Sequence, residues 1–119
     1  MRVSEKAINP SLKKEINKLL AQTIADIRDP KEAVHFLRDF FNDSEAEVFA
    51  KRLAIAYWLK KGRSYNNIKN NLKVSSATVA TVQSLISTPG FKTALKKVEA
   101  EEWANVWAEK IKKLTKLKK

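Results

Sequence analysis

The sequence predicts an all-α protein. Apolar residues recur at three- and four-residue steps along most of the 119 residues, which is the spacing of a single helix face. No segment of useful length alternates apolar and polar residues, and only two glycines are present, so strands are not expected. The length favours a single domain over residues 1–119, large enough to bury a core.

The helix boundaries are marked by proline, small polar residues and glycine. Asn9-Pro10, Asp29-Pro30 and Thr88-Pro89 each place proline at the first position of a helix, a position that needs no backbone N–H. Between them, "SEAE" at Ser44–Glu47 predicts a capping box that opens a third helix, and Gly62 predicts its end. A wide apolar arc predicts that this third helix is the central and most buried one.

The charge of the chain is large and unevenly distributed. The net charge is +11, and residues 1–60 contribute +2 whereas residues 61–119 contribute +9. No acidic residue lies between Glu47 and Glu99, although ten basic residues fall there. Because like charges on a folded surface repel one another, this pattern indicates a polyanionic partner, above all nucleic acid.

The composition disfavours other classes of function. The chain has no cysteine and a single histidine, His35, so we expect no metal site, no acid–base pair and no catalytic residues. No glycine-rich phosphate loop is present. The longest apolar run, Leu53–Leu59, is too short to span a membrane, and the N-terminus has no signal-peptide pattern. We therefore expect a cytoplasmic protein that is not an enzyme.

The segment "YNNIKNNLKVSSATVATV", Tyr65–Val82, carries the clearest functional pattern. Its aliphatic residues occur where two short helices and the corner between them need apolar contacts, at Ile68, Leu72, Val74, Val79 and Val82. Ser64 is expected to cap the first helix, and Ser75 or Ser76 the second. The pattern predicts a helix-turn-helix over about residues 64–86.

The remaining side chains of this segment suit contact with double-stranded DNA. The second helix would present short, uncharged groups to the base edges of the major groove, and these candidate base-reading residues are Ser75, Ser76, Ala77, Thr78 and Thr81. The candidate phosphate contacts are Lys60, Lys61, Arg63, Tyr65, Lys69 and Lys73.

Residues 40–86 resemble the tryptophan-repressor superfamily, and within it most of all the YerC/YecD type. The similarity rests on the order and spacing of four motifs, namely Glu47, Arg52-Leu53, "GRSYNNI" at 62–68 and "SSAT" at 75–78. It extends over about residues 10–100. The resemblance implies an all-helical, intertwined homodimer that binds operator DNA through paired helix-turn-helix units.

The chain departs from the tryptophan repressor at several positions. Lys73 stands where a glycine is usual in the turn, so a left-handed backbone is expected at a lysine. In the tryptophan repressor two arginines sandwich the bound indole. Arg52 matches the first, but Thr81 replaces the second, so Arg52 and Thr81 are candidates for an effector pocket in which tryptophan is not expected as corepressor. The C-terminal extension, about residues 100–119, is basic and longer than in typical relatives.

Two alternatives remain open from the sequence. One is a helical adaptor whose basic face binds RNA or an acidic protein. The other is attachment of the basic C-terminal helix to a membrane surface. The favoured partners are double-stranded DNA and a second copy of the chain, with no membrane.

Overall fold

The computed structural model describes residues 6–117, apart from the side chains of Trp107 and of residues 115–117. Every regular element in that range is an α-helix, as predicted. The helices are α1 (Pro10–Asp26), α2 (Pro30–Phe40), α3 (Asp43–Lys60), α4 (Tyr65–Leu72), α5 (Ser76–Leu85) and α6 (Pro89–Leu117). No helix within residues 6–117 combines the length and apolarity that crossing a bilayer requires.

The predicted caps of α1 and α2 are confirmed. The Asn9 side chain accepts hydrogen bonds from the N–H groups of Ser11 (2.8 Å) and Leu12 (3.3 Å). The Asp29 carboxylate accepts one from the N–H of Lys31 at 2.9 Å. Each cap satisfies backbone donors that have no partner inside the helix.

The predicted start of α3 is wrong by two residues. The capping box is formed by Asn42 and Glu45, since the Glu45 N–H donates to Asn42 Oδ1 (2.8 Å) and the Asn42 N–H donates to Glu45 Oε1 (3.0 Å). The same chemistry that Ser44–Glu47 offered is available at Asn42–Glu45, which lies at the actual first turn.

The end of α3 lies where Gly62 predicted it. Gly62 has a φ of 85°, in the left-handed region. The Gly62 N–H bonds the carbonyl of Leu59 and the Arg63 N–H bonds the carbonyl of Trp58, both at 3.0 Å. This pair of bonds is a Schellman motif, and it satisfies carbonyls that the helix leaves open.

The chain forms two compact units, of which the first ends at Ala46 and the second begins at Glu47. In the first unit, neither α1 nor α2 contains a buried residue. The rings of Phe36 and Phe40 stack with centroids 4.4 Å apart. Apolar residues recur at three- and four-residue steps along α1 and form one face of the helix, and this face is exposed at Leu12, Ile16, Leu19, Leu20 and Ile24.

The second unit contains the buried core. Its buried residues come from α3, α4, α5 and α6, and they are Ile55, Ala56, Ile68, Val79, Val82 and Leu95. Partly buried side chains pack against them, including Leu72 and Val74. The five aliphatic residues that predict the helix-turn-helix therefore all contribute to one core, which confirms the prediction.

The prediction that α3 is the most buried helix holds for only half of it. Ile55 and Ala56 are completely buried, whereas Val48 and Phe49 are each about half exposed, at 52% and 51%. The reason is that the core elements pack on the C-terminal half of α3. The helical pattern identifies apolar positions but does not show how far along a helix its neighbours extend.

The last helix extends through most of the predicted basic extension. α6 runs from Pro89 to Leu117, and residues 118 and 119 lie outside the described part of the chain. Trp103 is 65% exposed, so it is not a core residue of this chain.

Candidate nucleic-acid interface

The turn between α4 and α5 is closed by a lysine in a left-handed conformation. Lys73 has φ 57° and ψ 53°, as expected for the position that glycine usually holds. The Lys73 N–H bonds the carbonyl of Lys69, and the Val74 N–H bonds the same carbonyl at 3.3 Å. Val74 packs on the core immediately after the turn, so the strained residue fixes the direction in which α5 leaves the corner.

The first turn of α5 is held by Ser75, which decides between the two predicted caps. The Ser75 Oγ accepts the N–H of Thr78 at 3.1 Å and lies 2.9 Å from the Thr78 hydroxyl. One turn further along, the Thr81 hydroxyl donates to the carbonyl of Ala77 at 2.9 Å. These bonds restrict the side-chain rotamers, so the outward groups of α5 are presented in defined positions.

The two sides of α5 are clearly separated. Val79 and Val82 are buried against the core, and Ser76, Ala77, Thr78 and Thr81 are exposed, as is Ser75. The structure thus brings all five candidate base-reading residues together on one exposed surface. This surface carries hydroxyl and methyl groups and no charge, which are the groups that read base edges at close range.

Three candidate phosphate contacts lie on α4 and in the turn. Tyr65 begins α4 and is exposed, Lys69 is half-buried in its last turn, and Lys73 is exposed. Neither lysine makes an ion pair with another described residue. Both ammonium groups are therefore available to an external anion.

The other three candidates, at and after the end of α3, already have partners. Lys60 Nζ lies 2.7 Å from Glu99 Oε1, and Lys61 Nζ lies 3.0 Å from Glu102 Oε1. The Arg63 guanidinium lies over the Trp58 ring, 4.1 Å from its centroid. Sequence reasoning missed both carboxylates because they lie about 40 residues further along the chain. Their spacing of three residues puts them on one face of α6, but it does not show which helix that face contacts.

Glu102 also binds a second residue of α3. The Tyr57 hydroxyl donates to the Glu102 carboxylate, and Lys61 Nζ lies 5.5 Å from the centroid of the Tyr57 ring. The hydrogen bonds from Tyr57 and then from Lys61 lower the pKa of Glu102. The hydrogen bond to Glu102 in turn raises the pKa of Tyr57 and that of Lys61. This cluster attaches the middle of α6 to the end of α3.

Arg52 and Thr81 line a common cavity of about 520 Å³. It lies between α3 and the start of α5, and its wall also includes Glu47, Ser75 and Thr78. The Arg52 guanidinium lies 5.3 Å from the centroid of the Phe49 ring. The two candidate effector residues are therefore neighbours, and the cavity adjoins the base-reading surface.

Comparison with known proteins agrees with this geometry. The Trp repressor protein family matches residues 15–99. The chain belongs to the Trp repressor family. Members of this family are helix-turn-helix DNA-binding regulators. The matched range contains α4, the turn, α5 and every candidate site residue.

A curated relative shows the same branch of the family. The uncharacterized protein YerC of Bacillus subtilis (strain 168) is 28% identical over 91 residues, which cover 75% of this chain and 86% of the relative. No solved structure matches the chain. The family match ends at Glu99, so α6 from Ala100 to Leu117 lies beyond it.

Proposed function

We propose that this protein is a sequence-specific DNA-binding transcriptional regulator. The observation that carries the proposal is the exposed, uncharged surface of α5, supported by a buried Val79 and Val82 on its other side. Inserted into a major groove about 12 Å wide, α5 would place Ser76, Ala77 and Thr78 nearest the bases. Ser75 and Thr81 border this contact.

The phosphate contacts would surround the base-reading surface. Lys69 and Lys73 have no acidic partner among the described residues and would bind phosphates directly, with Tyr65 as a hydroxyl donor. Lys60 and Lys61 would exchange Glu99 and Glu102 for phosphate oxygens, and Arg63 would bind from its position over Trp58. Such contacts position the protein without selecting a sequence.

We propose that the protein acts as a homodimer. The apolar face of α1 is exposed along its whole length in the single chain, which is a costly arrangement for a helix in water. A second copy would cover it. The dimer would present two α5 helices to half-sites one helical turn apart, about 34 Å.

We do not expect tryptophan as corepressor. A sandwiched indole needs a planar cation on each face, and Thr81 supplies only a hydroxyl, which already donates to Ala77. Of the two positions, Arg52 is the one that carries a guanidinium, and this group lies over the Phe49 ring. DNA binding is expected to proceed without any cofactor, in the compartment that holds the DNA, which we expect to be the cytoplasm.

Selection of bound duplexes from a random pool tests the proposal. The expected result is enrichment of a two-fold related motif with half-sites about one turn apart. A salt series on the enriched duplex should show a steep fall in affinity, because phosphate contacts release counterions. Equal recovery of all sequences would refute specific recognition. Tighter binding to RNA or to an acidic protein than to any duplex would favour the adaptor alternative.

A further inference from the structure

A second basic surface lies at the other end of α5 from the base-reading residues. Ile86 and Ser87, which directly follow α5, line part of a cavity of about 400 Å³. Its charged lining consists of Lys60, Lys92 and Lys96, and Leu95 forms part of its apolar floor. No carboxylate is among the residues that line it. Lys60 ends α3 and the other two lysines lie on α6, so we refer to the three lysines together as the α6 basic surface.

Lys92 and Lys96 are an unusual pair for the start of a helix. They are one turn apart on α6, so their ammonium groups repel each other. The first turn of α6 contains no acidic residue that would offset them. Neither lysine forms an ion pair within residues 6–117. At Lys92 and Lys96 the chain thus concentrates positive charge without an ion pair, and this favours an external anion.

A carboxylate already occupies one part of this surface, next to Lys60. Its ammonium group binds Glu99 at 2.7 Å, and both side chains are about half exposed, at 51% and 44%. Exposed ion pairs of this kind are weak. A phosphate group that contacts Lys92 and Lys96 at the same time can therefore displace Glu99 from Lys60.

We propose that Lys60, Lys92 and Lys96 bind the DNA backbone beyond the base pairs read by α5. The inference rests on the proposed function and extends the DNA contact to the last helix. The ten residues of α5 span about 15 Å, less than half of one DNA turn, so phosphates that flank the bound groove come within reach of both ends. The surface consists of exposed, flexible lysines with no buried polar group. Such point charges suit a continuous polyanion better than a small ligand held in one orientation.

The test compares two double variants of the same helix. Lys92→Gln/Lys96→Gln removes two charges from the α6 basic surface, and Lys97→Gln/Lys113→Gln removes two charges from α6 outside that cavity. Full-length proteins are titrated with a random-sequence 40-base-pair duplex at several KCl concentrations. The first variant should reduce the slope of log affinity against log salt by about 2, at about 0.9 for each lost phosphate contact. Its affinity at low salt should fall at least tenfold. The second variant should change affinity less than threefold.

A third variant and the wild type make the result decisive. Lys92→Arg/Lys96→Arg keeps the charge and should keep the wild-type slope. Equal losses in the two glutamine variants, or an unchanged slope in the first, would overturn the inference while wild-type binding leaves the proposed function intact. Failure of the wild type to bind any duplex would overturn both. Circular dichroism confirms that each variant is folded, which is expected because all four positions are exposed.

Discussion

The ammonium group of Lys60 lies 2.7 Å from the carboxylate of Glu99, so a cation at the end of α3 is paired with an anion of α6. One residue later, Lys61 pairs with Glu102 at 3.0 Å. Two of the lysines that the sequence offers to DNA are thus occupied by carboxylates of the same chain. In the proposed complex, these carboxylates would compete with phosphates for the two lysines.

Removing the negative charge of Glu99 should strengthen DNA binding. Glu99→Gln leaves Lys60 without its ion pair and removes a group that repels phosphate. Because an exposed pair contributes about 0–1 kcal/mol, we expect a gain in affinity of up to about fivefold and a steeper salt dependence. Fluorescence anisotropy on a labelled duplex measures both. Glu101→Gln is the control, since this substitution removes the same charge from the same helix. An equal gain in the two variants would show that only net charge matters.

The cluster of Tyr57, Lys61 and Glu102 should make stability depend on pH in a defined way. The pKa of Glu102 is lowered in the folded chain, so its contribution is complete above the pKa of an unfolded glutamate, about 4.3, and is lost as pH falls through the folded value. The pKa values of Tyr57 and Lys61 are raised, so their contributions are complete below about pH 10 and are lost as pH rises further.

Thermal unfolding of the wild type and Glu102→Gln between pH 2.5 and pH 11 checks this. The variant should melt at a lower temperature than the wild type near pH 7, and the difference should shrink toward both ends of the range. A difference that stays constant from pH 7 to pH 2.5 would contradict the assigned role of Glu102.

Glycine at the turn should stabilise the protein while weakening DNA binding. Lys73 has a φ of 57°, and this conformation costs a non-glycine residue about 1 kcal/mol. Lys73→Gly should therefore raise the free energy of unfolding in urea by about that amount and remove one phosphate contact. Asn70→Gly, inside α4, should lower stability by a few tenths of a kcal/mol. A loss of stability in Lys73→Gly would show that the lysine side chain stabilises the turn.

Thr78 and Lys69 should affect binding in different ways. Thr78 lies on the exposed surface of α5, so Thr78→Ala should change the preferred base at one position of each half-site, by about 1–3 kcal/mol. Lys69→Ala should weaken binding to all sequences alike and reduce the salt slope by about 1. Parallel selection experiments with the two variants measure this difference. Identical base preferences and affinities in both variants and the wild type would exclude α5 as the reading helix.

The local features of the fold were largely predictable from the sequence. Asn9 and Asp29 cap the helices they precede, and the spacing of the five aliphatic residues between Ile68 and Val82 identified the helix-turn-helix. These features depend on residues within a few positions of each other. The start of α3 was predicted wrongly because two overlapping capping patterns compete there, and Asn42 forms the cap.

The tertiary features were not predictable in the same way. The pairing of Lys60 with Glu99 depends on how α6 packs on α3, and no periodicity in either helix specifies that packing. The exposure of the N-terminal half of α3 likewise could not be predicted from the periodicity of that helix. For the site, the sequence identified which residues of α5 are exposed, and their contacts with DNA stay a prediction. It did not show that some of the phosphate-contact candidates are already paired.

Dimerisation should depend on the apolar face of α1. Leu19 is 67% exposed in the single chain, and a second copy would bury it. Leu19→Glu should therefore shift the protein from dimer to monomer in sedimentation equilibrium, because burying an unpaired carboxylate costs several kcal/mol. Ala25→Glu is the matched control. It adds the same charge to α1 at an exposed position, but Ala25 lies on the opposite side of the helix from the apolar face. Binding to a two-fold operator should fall in the first variant and persist in the second, since a monomer loses the contribution of the second half-site. If Leu19→Glu remains dimeric, the two copies associate through a different surface, and the exposed face of α1 needs another explanation.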